Sequence, residues 1–279
     1  MKRRLPVPAF IAFATLQLAA CTGARPAAPV AEAPSRTPDV VFVPTPHRVV
    51  DQMLAVARVD KGDVLYDLGS GDGRIVVAAA KRFGIRAVGI DIDPKRIEES
   101  WANADTAGVR ALVDFRNADL FTTDLRPATV VTLYLLPALN VRLRPKLFEE
   151  LKPGARIVSH SFDMGDWKAD STLAVDARII YYWVMPADVS GKWKIGVGDR
   201  PIFVDFEQKY QQIISATQAT DQYAVQLPVV RGDSVSFSLR NTQGNQTIAF
   251  RGRASGDSIV GTYDALGTSG AFSATRVAR

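Results

Sequence analysis

The stretch VLYDLGSGDGR, residues 64–74, joins a short apolar run to a glycine-rich loop. The run predicts a buried strand over 64–68, and the amphipathic residues that follow predict a helix over 74–83. A strand, a glycine loop and a helix in this order are typical of nucleotide-binding α/β folds. The dinucleotide-binding pattern Gly-x-Gly-x-x-Gly requires its third glycine where this chain has Arg74. The loop therefore disfavours a pyrophosphate cradle.

This loop combines an acid with three glycines. A carboxylate at Asp67 can receive a positively charged amino group, such as that of a methionine moiety. Glycine lets a ligand approach the backbone closely, although tight turns use glycine as well. The residues of the loop that we predict to bind a cofactor are Asp67, Gly69, Gly71 and Gly73.

Two further acids follow the next two predicted strands. Asp91 ends the second strand, at about the spacing from Asp67 at which Rossmann-like folds place a carboxylate on ribose hydroxyls. The alternative role for Asp91, capping the next helix, suits Asp93 better. After the third strand, Asp119 could accept a hydrogen bond from an adenine amino group while Leu120 flanks the ring. Three acids at the carboxyl ends of successive strands predict one nucleoside ligand.

Strand and helix patterns alternate over residues 39–188. Further strands are predicted over 129–133 and 155–161, with a helix over 138–151 between them. Continuous apolar strands that alternate with helices predict an α/β domain with a doubly wound, mostly parallel Rossmann-like sheet. Over 189–279 the helix patterns stop, and short alternating segments between turn residues predict a small antiparallel β module, either a meander or an open barrel.

Composition restricts the remaining chemistry. Three of the +5 net charges come from residues 2–4, and the rest gives no case for a nucleic-acid partner. The chain has one cysteine, Cys21, and two histidines, His47 and His160. An intrachain disulfide and a Cys/His zinc cluster are therefore excluded, and we expect no metal.

The first 38 residues have the pattern of an export signal and a tether. Basic residues 2–4 precede an apolar run over 5–20 that is too short to span a membrane, and LAAC at 18–21 resembles a bacterial lipobox. We predict a lipoprotein-type signal peptide over 1–21, lipidation of Cys21 and a flexible linker over 22–38. The protein would then be anchored in the cell envelope, facing the periplasm. The alternative is a disordered tail with a chance cysteine on a cytoplasmic protein.

The loop, together with Val88-Gly89-Ile90-Asp91, resembles class I S-adenosylmethionine (AdoMet)-dependent methyltransferases over about 150 residues. Val43-Pro44-Thr45-Pro46 ahead of the loop is similar to seven-strand protein lysine methyltransferases related to the telomeric-silencing histone methyltransferase. The resemblance implies AdoMet as cofactor, with Thr45 folded over its methionine end. In that group the acid of the second strand is usually a glutamate followed by an asparagine, whereas this chain has Asp91 followed by Ile92 and Asp93.

The resemblance also implies where the methyl acceptor binds. Tyr134, at the end of the fourth predicted strand, is a candidate substrate-site residue, or else a packing aromatic. His160 is a candidate general base, or else structural. Asp163, Asp166 and Trp167 could line the pocket, or belong to an exposed loop. We expect the acceptor to be a protein side chain, with lysine as the candidate residue. The alternatives are a small-molecule acceptor and an inactive, envelope-anchored nucleoside-binding protein.

Overall fold

The computed structural model describes residues 37–197, 201–218, 223–244 and 246–278. Its first part alternates helices and strands and contains a seven-stranded sheet. The helices are α1 (His47–Val56), α2 (Arg74–Phe83), α3 (Pro94–Ala107) and α4 (Pro137–Glu150). The strands are β1 (Val64–Leu68), β2 (Arg86–Asp91), β3 (Val113–Asn117), β4 (Val130–Leu133), β5 (Arg156–His160), β6 (Ser171–Val175) and β7 (Arg178–Val184).

The seven strands are arranged in the order β3-β2-β1-β4-β5-β7-β6. The first five are parallel, with the chain reversing direction across the sheet between β3 and β4, so the doubly wound fold is confirmed. Beyond β5, the strand β7 pairs antiparallel with both β5 and β6. The sequence patterns do not predict β6 or β7. The carboxyl ends of the five parallel strands lie side by side, and folds of this kind bind their ligands at these carboxyl ends.

Helices cover both faces of this sheet because its strands are apolar on both sides. Leu65 of β1 packs into a core with α1 and α2, whereas its neighbour Tyr66 packs into a second core with α4. Trp183 of β7 is fully buried in this second core. Two buried faces hold β1 rigidly, and β1 in turn fixes the loop that follows it.

The second part is an eight-stranded antiparallel sheet, which confirms the predicted β module. Each strand pairs with the next along the chain, except that the third strand of the module does not pair with the fourth. The last strand pairs with the first. Among the described residues, the two edge strands are β10 (Gln212–Gln218) and β11 (Tyr223–Arg231), so the module is an open barrel. Its strands are β8 (Gly191–Gly196), β9 (Ile202–Lys209), β10 (Gln212–Gln218), β11 (Tyr223–Arg231), β12 (Ser234–Asn241), β13 (Thr247–Ser255), β14 (Ser258–Ala265) and β15 (Thr268–Ala278).

Aromatic side chains fill the barrel. Phe237 stacks on Phe250 with 4.8 Å between ring centroids, and Phe272 meets Phe250 edge-on at 5.1 Å. Where β15 returns to β8, the Arg276 guanidinium lies 4.5 Å from the Trp193 ring centroid, and its Nε donates to Asp257 at 2.8 Å. These contacts reinforce the pairing of β15 with β8.

The predicted signal peptide, the Cys21 lipidation site and nearly all of the predicted linker lie outside the described residues. Thr37 and Pro38, at the end of that linker, are described. Within the described ranges, no helix is both long and apolar enough to cross a membrane.

Candidate active site

The glycine loop lies at the carboxyl end of β1, between β1 and α2. Gly69, Gly71 and Gly73 have φ values of +79°, +54° and +75°, a region that L side chains rarely adopt. A Cβ on Gly69 would lie 2.8 Å from Leu135, and one on Gly71 would lie 2.2 Å from the Phe42 ring. At Gly73 a Cβ would meet Phe115 and the Ser100 hydroxyl. Gly73 is therefore required for packing at the start of α2, whereas Gly69 faces the cavity described below.

Asp67 is buried beneath this loop. Its Oδ1 accepts a hydrogen bond from the Thr132 hydroxyl of β4 at 2.7 Å. Burial raises the pKa of the Asp67 carboxyl to about 7, against the lowering effect of that hydrogen bond, and the nearby Asp91 and Asp72 carboxylates raise it further. A buried carboxyl of this kind is stabilised in its charged form by a cationic partner. The site therefore favours a ligand with a positively charged group next to Asp67.

Asp91 ends β2 beside the loop and fixes its shape. One carboxylate oxygen accepts from the Gly71 amide at 2.8 Å, and the other accepts from the Asp93 amide at 2.9 Å. Asp93 caps α3 through the Lys95 amide, as predicted. Burial raises the pKa of Asp91, although the two amide hydrogen bonds oppose the shift. Each carboxylate oxygen has a second lone pair, which leaves capacity to accept from a ligand hydroxyl.

Asp67, Gly69 and Asp91 line a cavity of about 480 Å³, within the size range of ligand pockets, whereas Gly71 and Gly73 are not among its lining residues. Asp119 and Leu120 lie on its wall after β3, and Asp119 also accepts from the Phe121 amide at 2.9 Å. Other parts of the wall come from residues outside the predicted cofactor-binding set. These include Thr37 to Val43, Ser70, Ile92 and Arg96.

The segment over residues 37–43 covers the cavity. Phe42 lies against Gly71, and the Arg96 guanidinium stacks on the Phe42 ring at 4.8 Å from its centroid. Arg74 extends this cover, because it donates to the Thr45 carbonyl at 2.9 Å and forms an ion pair with Asp72. Arg74, which replaces the third glycine of the dinucleotide pattern, thus attaches the covering segment to the loop.

Thr45, Tyr134 and His160 meet at one end of the cavity. Thr45 and Tyr134 line it, and the Thr45 hydroxyl lies 3.1 Å from His160 Nδ1. The Tyr134 ring packs against the His160 ring with 3.9 Å between centroids and 33° between ring planes. His160 itself is fully buried behind these two residues, and burial lowers its pKa to about 4, with Arg178 contributing. His160 is therefore neutral at pH 7, in a position to orient Thr45 and Tyr134.

Three other candidates lie outside the cavity. Trp167 is fully buried in the core beside Trp183, so the prediction that it lines the pocket is wrong. Asp166 is exposed and bonded to Arg144 and Tyr210, in agreement with the exposed-loop alternative. Asp163 bonds to the Gly165 amide in the same loop.

The residues present fit AdoMet. Asp67 suits the ammonium group of its methionine end, Asp91 suits the ribose hydroxyls, and Asp119 and Leu120 suit the adenine. Gly69 lines the same cavity as these acids, and a Cβ at Gly69 would lie 2.8 Å from Leu135, which is also part of the lining. When bound, AdoMet supplies an activated methyl group that is transferred by in-line displacement. No group of three or more metal-binding side chains is found in the part of the chain that the structure describes.

Comparison with known proteins agrees with this assignment. Residues 67–171 match the family model described as the ANTKMT methyltransferase domain. The chain is 45% identical to a protein-lysine N-methyltransferase of Saccharolobus islandicus over 51% of this chain and 89% of that protein. It is 37% identical to the mouse adenine nucleotide translocase lysine N-methyltransferase, over 46% of this chain and 56% of that protein. A solved Salinibacter ruber structure, described as an RNA methyltransferase in complex with S-adenosyl-L-homocysteine, is 56% identical with a TM-score of 0.52; the match covers 53% of this chain and 96% of that one.

The fold and the site define a class I AdoMet-dependent methyltransferase. The chain belongs to the methyltransferase family of the S. islandicus protein-lysine enzyme, of which it covers nearly the whole length. AdoMet is its methyl donor, and the inactive-binder alternative is set aside. Residues 172–279 lie beyond the matched family model and include the whole β module.

Proposed function

We propose that this enzyme transfers the methyl group of AdoMet to a lysine side chain of a protein. The observation that carries the proposal is the 45% identity to a protein-lysine N-methyltransferase across 89% of that relative. The site's own chemistry is compatible with this acceptor. Methyl transfer requires chiefly that the acceptor nitrogen be aligned with the methyl group, and alignment alone can contribute roughly 7–11 kcal/mol.

The acceptor end of the cavity supports an amine nucleophile. Its walls include Tyr134, Leu135 and Leu139, and the nearby His160 is neutral. A lysine ammonium that enters such surroundings loses hydration, and desolvation lowers the pKa of an amine. The site would therefore help the lysine lose the proton that blocks its lone pair.

A second candidate acceptor is RNA, because the similar S. ruber structure is described as an RNA methyltransferase. RNA binding depends on cations that can contact phosphate groups. In this cavity, Arg74 forms an ion pair with Asp72, and Arg96 forms one with Glu99. These carboxylates compete with phosphate for the arginines, which favours the protein acceptor.

The test is transfer of tritiated methyl from AdoMet into a whole-cell extract, followed by separate protease and ribonuclease digestion. We expect the macromolecular label to be released by protease and to resist ribonuclease. An Asp91→Ala enzyme provides the background. Label that is released only by ribonuclease would support the RNA candidate, and label confined to low-mass compounds would support a small-molecule acceptor.

Tyr134→Phe tests the acceptor end of the site. The substitution keeps the ring that packs against His160 and removes only the hydroxyl. If that hydroxyl orients the acceptor, kcat/KM for the labelled protein falls about tenfold, the cost of one good hydrogen bond. Affinity for S-adenosylhomocysteine (AdoHcy), measured by calorimetry, stays unchanged. Tyr181→Phe, on β7 and stacked on Trp183, is the matched control. Unchanged turnover in Tyr134→Phe would remove the hydroxyl from the chemistry.

We also propose that the chain is exported and anchored through lipid on Cys21. The support is the order of basic residues, apolar run and lipobox-like LAAC at the N-terminus. Expression in a bacterial host should give a membrane-bound product with a lipid-linked mass increase that disappears in Cys21→Ser. A wild-type product without that mass increase would exclude the anchor and favour the cytoplasmic alternative.

A further inference from the structure

The β module reaches the methyltransferase domain through the tip of one hairpin. Tyr210 and Gln211 form the turn between β9 and β10, and Tyr210 adopts a φ of +56°. The sequence pattern predicts Tyr210 inside a strand, whereas the structure places it at this turn. The turn contacts the β5–β6 loop, residues 161–170, which begins directly after His160.

Directional hydrogen bonds join the turn to the loop. The Trp167 indole donates to Gln211 Oε1 at 2.8 Å, and Gln211 Nε2 donates to the Lys168 carbonyl at 2.6 Å. The Tyr210 hydroxyl donates to the Asp166 carboxylate at 3.0 Å. Because Gln211 both donates and accepts, it fixes the position of the loop backbone as well as that of the Trp167 ring.

Aromatic packing supports the same contact. Trp167, Phe148 of α4 and Tyr210 form a cluster of three rings. The centroid distances are 4.5 Å for Trp167–Phe148, 6.0 Å for Trp167–Tyr210 and 5.6 Å for Phe148–Tyr210. Arg144 of α4 completes it by donating to the Met164 carbonyl at 2.8 Å and to Asp166 at 2.5 Å. Arg144 and Tyr210 hold the pKa of the Asp166 carboxyl at about 2, so Asp166 keeps its negative charge at neutral pH.

The other end of the β5–β6 loop meets the acceptor end of the cavity. Phe162 stacks on Tyr134 with 6.1 Å between centroids and 19° between ring planes. The buried Asn140 side chain donates to the Phe162 and Asp163 carbonyls at 3.3 and 3.1 Å. A continuous set of contacts thus runs from the β9–β10 turn through the loop to Tyr134.

We propose that the β9–β10 turn is a positioning element for the acceptor end of the methyl-transfer site, with Gln211 and Tyr210 as positioning residues. They act through the β5–β6 loop and Phe162 on Tyr134, which gives the β module a role in acceptor binding. Asp67 and Asp91, the predicted cofactor ligands, form their hydrogen bonds with Thr132, the glycine loop and Asp93 rather than with the β5–β6 loop, so we expect the turn to leave cofactor binding unaffected. The expected change in acceptor KM rests on the proposed function, because it needs a protein acceptor. The expected ordering of the β5–β6 loop by the turn does not depend on the acceptor.

The test compares the full-length wild type with Gln211→Ala and with Tyr210→Ala/Gln211→Ala. Hydrogen exchange needs no acceptor, and we expect amides of residues 162–168 to exchange at least about tenfold faster in the variants, since local opening becomes easier. With the protein fraction of the cell extract as acceptor, we expect its apparent KM to rise at least about fivefold, since misplacement by an ångström is costly. We expect kcat to stay within about twofold of wild type and AdoHcy affinity to be unchanged.

Two controls separate positioning from general destabilisation. Gln243→Ala changes a glutamine in the β12–β13 turn of the same module. The backbone amide of Gln243 donates to Asn241 Oδ1, and the substitution keeps that hydrogen bond. It should leave both readouts unchanged. A single Tyr210→Ala variant should also raise the apparent acceptor KM, and Tyr210→Phe, which keeps the ring packing, should show little of that rise.

Each outcome decides the proposal. Unchanged exchange in the loop, or faster exchange with an unchanged acceptor KM, would overturn it. A change in AdoHcy affinity or in the Gln243→Ala control would also overturn it, because the effect would then be general. If the double variant fails to fold, Gln211→Ala alone decides by the same readouts. If wild type labels no protein, the proposed function fails, and the exchange result still decides whether the turn holds the loop.

Discussion

AdoHcy affinity is expected to fall about tenfold when the pH is lowered from 8 to 6, because Asp67 must be ionised to receive the ligand's ammonium group. With a pKa of about 7, Asp67 is mostly ionised at pH 8 and mostly protonated at pH 6. Apparent affinity scales with the fraction of protein in the binding-competent form, which gives roughly a tenfold loss. Calorimetric titration with AdoHcy at several pH values measures the effect.

Asp67→Asn is the control for this pH dependence. Asparagine keeps an oxygen that can accept the Thr132 hydroxyl bond and removes the charge. Its affinity at pH 8 should be lower by about 10- to 100-fold, the range for loss of a charge-assisted hydrogen bond. Any dependence that remains reports titration of the ligand itself. Parallel pH profiles for wild type and Asp67→Asn would show that Asp67 does not contact the ammonium group.

The Asp91→Ala enzyme is expected to lose at least about 30-fold in AdoHcy affinity, since hydrogen bonds to charged groups contribute roughly 1.5–3 kcal/mol each. The substitution removes the acceptor for ribose hydroxyls and also releases the Gly71 amide of the glycine loop. Calorimetry at pH 8, where the Asp67 effect is small, isolates this contribution.

Two variants bracket the Asp91 result. Asp91→Glu keeps a carboxylate and matches the acid usual in the lysine methyltransferases that this chain resembles, so it should retain most of the affinity. Asp114→Ala, on neighbouring β3, removes an exposed carboxylate paired with Arg116 and should have no effect on binding. Full affinity in Asp91→Ala would show that the ribose assignment is wrong.

The parallel core could be predicted from sequence because its signals are local. β1 and α2 have the predicted bounds, since a buried apolar run and a glycine turn specify them without reference to the rest of the chain. β6 could not be predicted because four of its five residues are exposed, so no apolar pattern marks it. β8 was also difficult to predict. Its Trp193 and Ile195 alternate with lysines, but the segment is short and begins at a glycine, so its strand signal is weak. Pairing with β15 and β9 stabilises this strand.

The acidic part of the candidate site was predictable because its three aspartates occupy equivalent positions along the chain. Asp67, Asp91 and Asp119 lie at or just after the carboxyl ends of β1, β2 and β3, and the sheet brings all three to one cavity. The cover by Phe42 was not predictable, because a single phenylalanine before a helix does not indicate which surface it contacts. Trp167 was misassigned for a related reason: its partners Tyr210 and Gln211 lie more than forty residues away in the β module.

The chemical identity of the methylated group is the decisive measurement for the proposed function. Protein labelled by this enzyme with tritiated AdoMet is hydrolysed to amino acids, and the radioactive species is identified by chromatography and mass spectrometry. We predict methylated lysine, and its absence from protein incubated with Asp91→Ala enzyme. Label on another amino acid, or label found only in nucleosides, would contradict transfer to a protein lysine.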